Sequence, residues 1–214
     1  MNADGVIEIR TLGADDAHDD ADDAHNDSTH NDSTHNDSTH NDSNAITSPH
    51  MLENAIDDNE LIDYSTKFTI FTDGSALGNS KNAPAGWACY FPQQKVLRSK
   101  SMIGTNNQAE LEAISYALWW FTIKYASLKI PDNIVYLFSD SEYAIKSING
   151  EYNGKLNTSK IMNIRQLIEG IKRKSLFVRL IHCDAHTGKN DFISVNNAIV
   201  DHEARQKAAE AKAK

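Results

Sequence analysis

The chain has 214 residues and a formal net charge of −9, but residues 1–66 hold 17 of the 30 Asp and Glu and one of the 21 Lys and Arg. Residues 67–214 therefore carry a formal charge of +7, are long enough for one sizeable core, and could suit a polyanionic partner. No apolar run reaches membrane-spanning length and MNADGVIEIR lacks a signal-peptide core. These features argue against a membrane protein or a secreted one and predict an intracellular protein, cytoplasmic or nuclear.

Residues 1–48 are of low complexity and contain HNDST three times, followed by a truncated fourth copy. Few large apolar residues and a high negative charge cannot offset the entropy of ordering, so we predict a disordered acidic tail. The evenly spaced histidines could bind transition metals, although a solvated repeat is the better-supported interpretation. Residues 49–66 are predicted to be a linker or a short helix through Leu52, Ile56 and Leu61.

The globular pattern begins with KFTIFTDGSA at residues 67–76. Its β-branched and aromatic run predicts a strand over residues 68–72 that ends at Gly74, and apolar residues on both faces predict a central, doubly covered strand. Asp73 then stands at the last position of this strand. A carboxylate there is costly to bury unless it is paired or bound to a metal; a turn aspartate that caps Gly74 and Ser75 is the alternative.

Strands predicted over residues 85–91 and 95–103 follow with short connections, which indicates an antiparallel meander. A helix then opens with Thr105 or Asn106 as its N-cap. Glu110 occupies the N-terminal end of the buried stripe of this helix, where leucine would be expected, although a glutamate in the first turn also favours the helix dipole. The stripe consists of Glu110, Ile114, Ala117, Leu118 and Phe121.

Strands and helices alternate in the rest of the chain. IVYLFSD predicts a strand over residues 134–140, and its buried row ends in Asp140 where a helix follows. That short helix stops at Gly150, a longer helix covers residues 157–174, and a fifth strand covers residues 177–183.

A loop rich in turn residues, 185–197, carries His186 and leads into a closing helix over about residues 197–213. Asp201 lies on one face of that helix together with small residues. Such a face can approach other backbone closely. The small residues on this face are Ala198, Ala204 and Ala208.

Four acids stand where apolar or small residues would be the default: Asp73, Glu110, Asp140 and Asp201. Brought together, their carboxylates would raise one another's pKa unless cations neutralised them. Oxygen ligands suit a hard divalent cation such as Mg²⁺, and a pair of such ions is a standard device for phosphodiester hydrolysis.

No zinc-type Cys/His spacing and no P-loop occurs in the sequence. Cys89 and Cys183 are predicted to be buried free thiols rather than a disulfide.

Four motifs together carry a resemblance to a known family: TDGSA (72–76), TNNQAELEA (105–113), SDSEYAI (139–145) and HTGKNDF…NNAIVDHEA (186–204). In their order and spacing the chain resembles type 1 ribonuclease H over about residues 67–210. The resemblance implies a ribonuclease H-like α/β (mixed α+β) fold, with a five-stranded mixed sheet and helices on both sides. It also implies an endoribonuclease that hydrolyses the RNA strand of RNA–DNA hybrids by a two-metal-ion mechanism, leaving 5′-phosphate and 3′-hydroxyl ends.

By position, the resemblance implies that Asp73, Glu110, Asp140 and Asp201 bind two Mg²⁺ ions, or Mn²⁺ in their place, and that His186 assists proton transfer or product release. Asn106 and Asn107 would contact the minor groove of the hybrid, where a 2′-hydroxyl distinguishes RNA from DNA. The implied partner is the RNA–DNA hybrid, and we expect a monomer. The implied substrate contacts are Gly74, Ser75, Asn106, Asn107 and Glu142.

Three features depart from the family pattern. Glu142 stands where glutamine is common, and a carboxylate near phosphates would weaken substrate contact. The loop from His186 to Asn197 is longer than in the shortest members, and Glu203 replaces a usual leucine. Two alternatives stay open: a non-catalytic nucleic-acid-binding module of the same fold, which the intact acids argue against, and a related nuclease with another substrate, which the TNN and HTG motifs argue against.

Overall fold

The computed structural model of the chain describes residues 62–78, 80–152, 156–184 and 189–213. The predicted disordered tail and the predicted short helix near Leu52 lie outside these described residues. In the part that is described, no helix is both long enough and apolar enough to cross a membrane.

The five strands form one mixed sheet with the order β3-β2-β1-β4-β5. The strands are β1 (Phe68–Ala76), β2 (Pro84–Phe91), β3 (Val96–Ile103), β4 (Ile134–Ser139) and β5 (Phe177–His182). The first three form the predicted antiparallel meander. β4 pairs parallel to β1, and β5 pairs parallel to β4. The predicted five-stranded mixed sheet is therefore confirmed, with β1 at its centre.

In the described part of the chain, four α-helices cover the two faces of the sheet. They are α1 (Asn106–Lys124), α2 (Glu142–Asn149), α3 (Thr158–Lys172) and α4 (Phe192–Lys212). Buried residues of α1, α2 and α3 share one apolar cluster with one face of the sheet. Buried residues of α4 share a second cluster with the opposite face. The sheet thus separates two cores, as a layered α/β architecture requires.

Apolar residues on both faces of β1 account for its central position. Ile70 is fully buried in the core under α1, while Phe71 faces α4 and stacks on Phe138 with ring centroids 4.8 Å apart. The predicted doubly covered strand is therefore confirmed. Cys89 and Cys183 are buried free thiols, also as predicted.

β1 continues further than predicted, because its two neighbours end at different places. The parallel ladder with β4 stops at the pair Thr72 and Ser139, whereas the antiparallel ladder with β2 continues to Ala76. Asp73 is therefore not the last residue of the strand, and it opposes Ala88 of β2. It is instead the first residue of β1 beyond the end of β4, so its side chain lies where the two strands diverge.

The closing helix also begins earlier than predicted. α4 starts at Phe192, whereas the turn-rich composition indicated a loop as far as Asn197. Asp191 supplies the missing start signal, because its side chain accepts a hydrogen bond from the Ser194 N–H (2.8 Å). Packing of the partly buried Phe192 against the second core then outweighs the weak helix propensity of the β-branched and asparagine residues that follow. Ala198, predicted on the packed face, is exposed.

Gly86 of β2 lets α4 lie directly on the sheet. A Cβ at Gly86 would lie 2.5 Å from the Ala208 nitrogen and 2.6 Å from the Ala204 carbonyl oxygen, both backbone atoms. We expect Gly86→Ala to lower the free energy of unfolding by about 3 kcal/mol, measured by urea denaturation. Gly170→Ala is the control, because its Cβ meets nothing nearer than 3.8 Å within α3, and alanine there should stabilise the protein by about 0.5–1 kcal/mol. Equal effects at both glycines would contradict this packing argument.

Candidate active site

Three carboxylates from three different elements meet at one end of the sheet. Each of Asp73, Glu110 and Asp140 offers an oxygen atom that lies within 4.8 Å of the other two. Asp73 and Glu110 are buried, with 5% and 4% of their surface exposed, and Asp140 is half-buried. The structure therefore brings together three of the four acids that the sequence predicted as a metal site.

Gly74 allows Glu110 to reach this cluster. A Cβ at Gly74 would lie 2.2 Å from the Glu110 nitrogen, so the first turn of α1 rests directly on β1. The Gly74 N–H donates a hydrogen bond to Oε2 of Glu110 (3.1 Å). Thr105 begins the helix as a capping box with Gln108, which confirms the first of the two predicted N-caps. Glu110 is thus fixed by a helix start and by a glycine on the neighbouring strand.

Asp140 is held between the end of β4 and the start of α2. Its neighbour Ser139 accepts a hydrogen bond from the Ser141 N–H (3.2 Å), and the Ser141 side chain caps α2. The backbone carbonyl oxygen of Asp140 lies 3.2 Å from Nε2 of His182, at the end of β5. The sequence analysis did not identify His182. Only the parallel pairing of β4 and β5 brings it beside Asp140.

Burial and mutual repulsion make this cluster unfavourable as a set of anions. Burial, followed by the charges of Asp140 and Asp201, raises the pKa of Asp73 to about 8. Burial, followed by the charges of Asp73 and Asp140, raises the pKa of Glu110 well above its ordinary value. A divalent cation would remove this repulsion, and an all-oxygen ligand set is the chemistry that hard cations prefer. The residues present therefore fit a hard divalent cation.

Asp201, the fourth predicted ligand, is a neighbour of this group rather than a member of it. Its charge contributes to the raised pKa of Asp73, so it lies close to the cluster. Its Oδ1 is 2.9 Å from Nε of Arg205, one turn further along α4. The sequence analysis did not identify this pair.

The predicted substrate contacts occupy different environments around the carboxylates. Asn106 is exposed at the start of α1, where its Oδ1 accepts a hydrogen bond from the Ala76 N–H (3.1 Å). Asn107 is exposed and Ser75 is half-buried, whereas Gly74 is buried beneath α1. Glu142 begins α2, and its carboxylate is ion-paired with Lys146.

The ion pair with Lys146 changes the electrostatic effect of Glu142. Lys146 holds the pKa of Glu142 below its ordinary value, first through a hydrogen bond and then through its charge. The side chain of Glu142 is 62% exposed. The charge that we expected to repel phosphates is therefore partly offset by Lys146.

The predicted catalytic histidine, His186, lies outside the described residues.

Comparison with known proteins identifies related chains. The profile of the RNase H family matches residues 65–209. A ribonuclease H of Neorickettsia sennetsu is 31% identical over 153 residues, which cover 67% of this chain and 93% of the relative. A ribonuclease H of Helicobacter acinonychis is 37% identical over 100 residues, covering 44% and 63% of the two chains. A ribonuclease H of Saccharomyces cerevisiae is 30% identical over 125 residues, covering 55% of this chain and 33% of its own length.

A solved structure shares the fold. The crystal structure of LC11-RNase H1 in complex with RNA/DNA hybrid superimposes with a TM-score of 0.53 at 23% sequence identity. The match covers 68% of this chain and 99% of that protein. The chain therefore shares its fold with LC11-RNase H1.

Proposed function

The chain belongs to the ribonuclease H family, and from this premise we propose that it is an endoribonuclease that hydrolyses the RNA strand of RNA–DNA hybrids. The observation that carries the proposal is the close group of Asp73, Glu110 and Asp140 oxygens at one end of the sheet. A protein that only bound nucleic acid would gain nothing from burying mutually repelling carboxylates. The free-energy cost of burying these carboxylates is explained if they hold cations during a reaction.

We propose that Asp73, Glu110, Asp140 and Asp201 hold two Mg²⁺ ions, for which Mn²⁺ can substitute. Such ions, when bound, activate a water molecule and stabilise the oxygen that leaves the phosphorus. The water oxygen would form a bond to phosphorus and give up a proton, while the bond from phosphorus to the 3′ oxygen would break and that oxygen would take up a proton. The products would be a 5′-phosphate and a 3′-hydroxyl. Asp73, which has an oxygen within 4.8 Å of oxygens from Glu110 and Asp140, would be the central ligand of the set.

Substrate selection is proposed to lie beside this cluster, at the start of α1. Asn106 and Asn107 are exposed there, and their amide groups can hydrogen-bond a 2′-hydroxyl in the minor groove of a hybrid. The half-buried Ser75 on β1 and Glu142 at the start of α2 are proposed as further contacts, and Gly74, buried beneath α1, is proposed to contribute by letting α1 lie directly on β1. From the sequence resemblance we further propose that His186 assists proton transfer or product release. We also propose that the chain is a monomer.

The domain proposed to act is residues 67–210, with residues 1–48 as a disordered tail and residues 49–66 as a linker or short helix. The family profile covers nearly the same stretch, which supports this boundary. An intracellular location remains a prediction from the sequence.

The experiment that tests the function is cleavage of end-labelled substrates of one sequence with Mg²⁺. Single-stranded RNA, double-stranded RNA, double-stranded DNA and the RNA–DNA hybrid would be compared. We expect cleavage of the RNA strand of the hybrid alone, with product ends that a 5′-phosphate-dependent exonuclease and a 3′-end-extending polymerase both accept. Cleavage of single-stranded RNA at an equal rate, or no cleavage by a folded chain, would contradict the proposal. The second result would favour the non-catalytic module.

His182 is expected to influence this activity through Asp140. Its Nε2–H can donate to the Asp140 carbonyl oxygen (3.2 Å). Because such a bond contributes roughly 1 kcal/mol, we expect His182→Phe to lower kcat/KM for the hybrid by about three- to tenfold. His182→Gln retains an N–H donor of similar reach and should recover most of the rate. If the two variants lost the same activity, the hydrogen bond would not be the cause.

A further inference from the structure

Arg205 and Asp201 form an ion pair at the solvent edge of the carboxylate cluster. Nε of Arg205 lies 2.9 Å from Oδ1 of Asp201, and the two side chains are 58% and 19% exposed. An ion pair of this exposure, one helical turn apart, contributes little to the stability of a helix. The pair therefore matters mainly through its effect on the carboxylate of Asp201.

Asp201 is the proposed ligand whose surroundings differ most from those of the other three. Asp73, Glu110 and Asp140 each have an oxygen that lies within 4.8 Å of the other two. Burial, followed by the charges of neighbouring acids, raises the pKa of both Asp73 and Glu110. Asp201 is close enough for its charge to act on Asp73, but one of its oxygens already contacts a guanidinium. α4 packs directly on β2 at Gly86 through Ala204 and Ala208, so Asp201 belongs to a helix that is held against the sheet.

We propose that Arg205 is a positioning residue that competes with a divalent cation for Asp201. The inference rests on the proposed cation site. A cation bound at Oδ1 of Asp201 must either displace the guanidinium or accept the repulsion between two positive charges a few ångströms apart. In either case a first cation would be held by Asp73, Glu110 and Asp140, and the pair with Arg205 would weaken the share that Asp201 takes in holding a cation.

The inference fixes the direction of a mutational effect on metal binding. Arg205→Gln removes a positive charge and releases the carboxylate, and both changes favour a cation. We expect the weaker of two Mg²⁺ binding events to tighten by about 1.5- to fivefold, the range that loss of a partly exposed ion pair gives. If Arg205 instead held Asp201 in its metal-binding position, the same variant would bind Mg²⁺ more weakly.

The test is calorimetric titration of the full chain with Mg²⁺ in the absence of nucleic acid. Asp73→Asn measures the background binding of the acidic N-terminal residues. Arg205→Lys should restore the wild-type affinity because the charge is kept. Lys207→Gln is the matched control, since it removes one positive charge from α4 at a residue that pairs with Glu203 and Glu210 instead.

The outcomes separate this inference from the proposed function. Tightening in Arg205→Gln alone supports the competition. An unchanged or weaker affinity in Arg205→Gln, or equal tightening in Lys207→Gln, overturns the competition but leaves the proposed function standing. A wild-type chain that binds no more Mg²⁺ than Asp73→Asn does would overturn both.

Discussion

Asp73→Asn is expected to lower the rate of hybrid cleavage by about a thousandfold or more, which corresponds to about 4 kcal/mol of activation free energy. Asp73 is the buried carboxylate on which the charges of both Asp140 and Asp201 act, and one of its oxygens lies within 4.8 Å of oxygens from Glu110 and Asp140. An amide keeps the shape of the side chain but removes the negative charge that holds a cation. The measurement is the initial rate of cleavage of a labelled hybrid at saturating Mg²⁺.

Asp132→Asn is the matched control for this prediction. Asp132 is half exposed and pairs with Lys67 at the surface, and an asparagine tolerates its left-handed backbone (φ 55°). We expect its rate to stay within about twofold of the wild-type rate, because exposed ion pairs contribute little. Activity of Asp73→Asn within tenfold of the wild-type enzyme would remove Asp73 from the proposed cation site.

The free energy of unfolding of the metal-free protein is expected to fall as the pH rises from about 4 to about 8. Unfolded Asp73 loses its proton near its ordinary pKa of 3.8, whereas the folded state keeps the proton until about pH 8. Between these values the folded state binds more protons than the unfolded state, so stability decreases with pH. The raised pKa of Glu110 acts in the same direction. The expected loss is roughly 2–5 kcal/mol across this range.

Urea unfolding in EDTA at several pH values between about 4.5 and about 8.5 measures the slope. Asp73→Asn should flatten the pH dependence of the free energy of unfolding, and the difference between the two curves removes the contributions of other groups.

Mg²⁺ should stabilise the wild-type chain more at pH 8 than at pH 5, because the carboxylates must lose their protons to bind the ion. Asp191, whose pKa is lowered by its hydrogen bonds to Ser194, acts only near and below pH 4. Equal slopes for the wild type and the variant would contradict the raised pKa of Asp73.

Most of the fold was predictable because its strands carry strong local signals. The apolar row of β4 and the two apolar faces of β1 predicted both elements, and a turn separates β2 from β3 as expected. The errors occurred where tertiary structure overrides composition. The pairing of β1 with β2 extends the strand through Asp73 and Gly74, although a glycine usually ends a strand. α4 begins within a stretch of weak helix formers because the partly buried Phe192 packs against the second core and Asp191 caps the helix.

The candidate site was predictable to the extent that its acids interrupt apolar patterns. Glu110 and Asp140 each occupy the end of a buried row, and the structure places both beside Asp73. The contacts of Arg205 and His182 carried no such signal, because a basic residue on an exposed helix face or at a strand end is ordinary. Arg205 lies beside Asp201 because the two residues are one helical turn apart on α4. His182 lies beside Asp140 because β5 pairs with β4.

The most direct test of the central claim is the position of a bound divalent cation. Crystals of the full chain grown with Mn²⁺ would be measured at a wavelength where Mn²⁺ scatters anomalously. We expect an anomalous peak within about 2.0–2.5 Å of oxygens from Asp73, Glu110 and Asp140. If no peak occurs at these carboxylates while the same preparation cleaves the RNA strand of a hybrid with Mn²⁺, they are not the catalytic cation site.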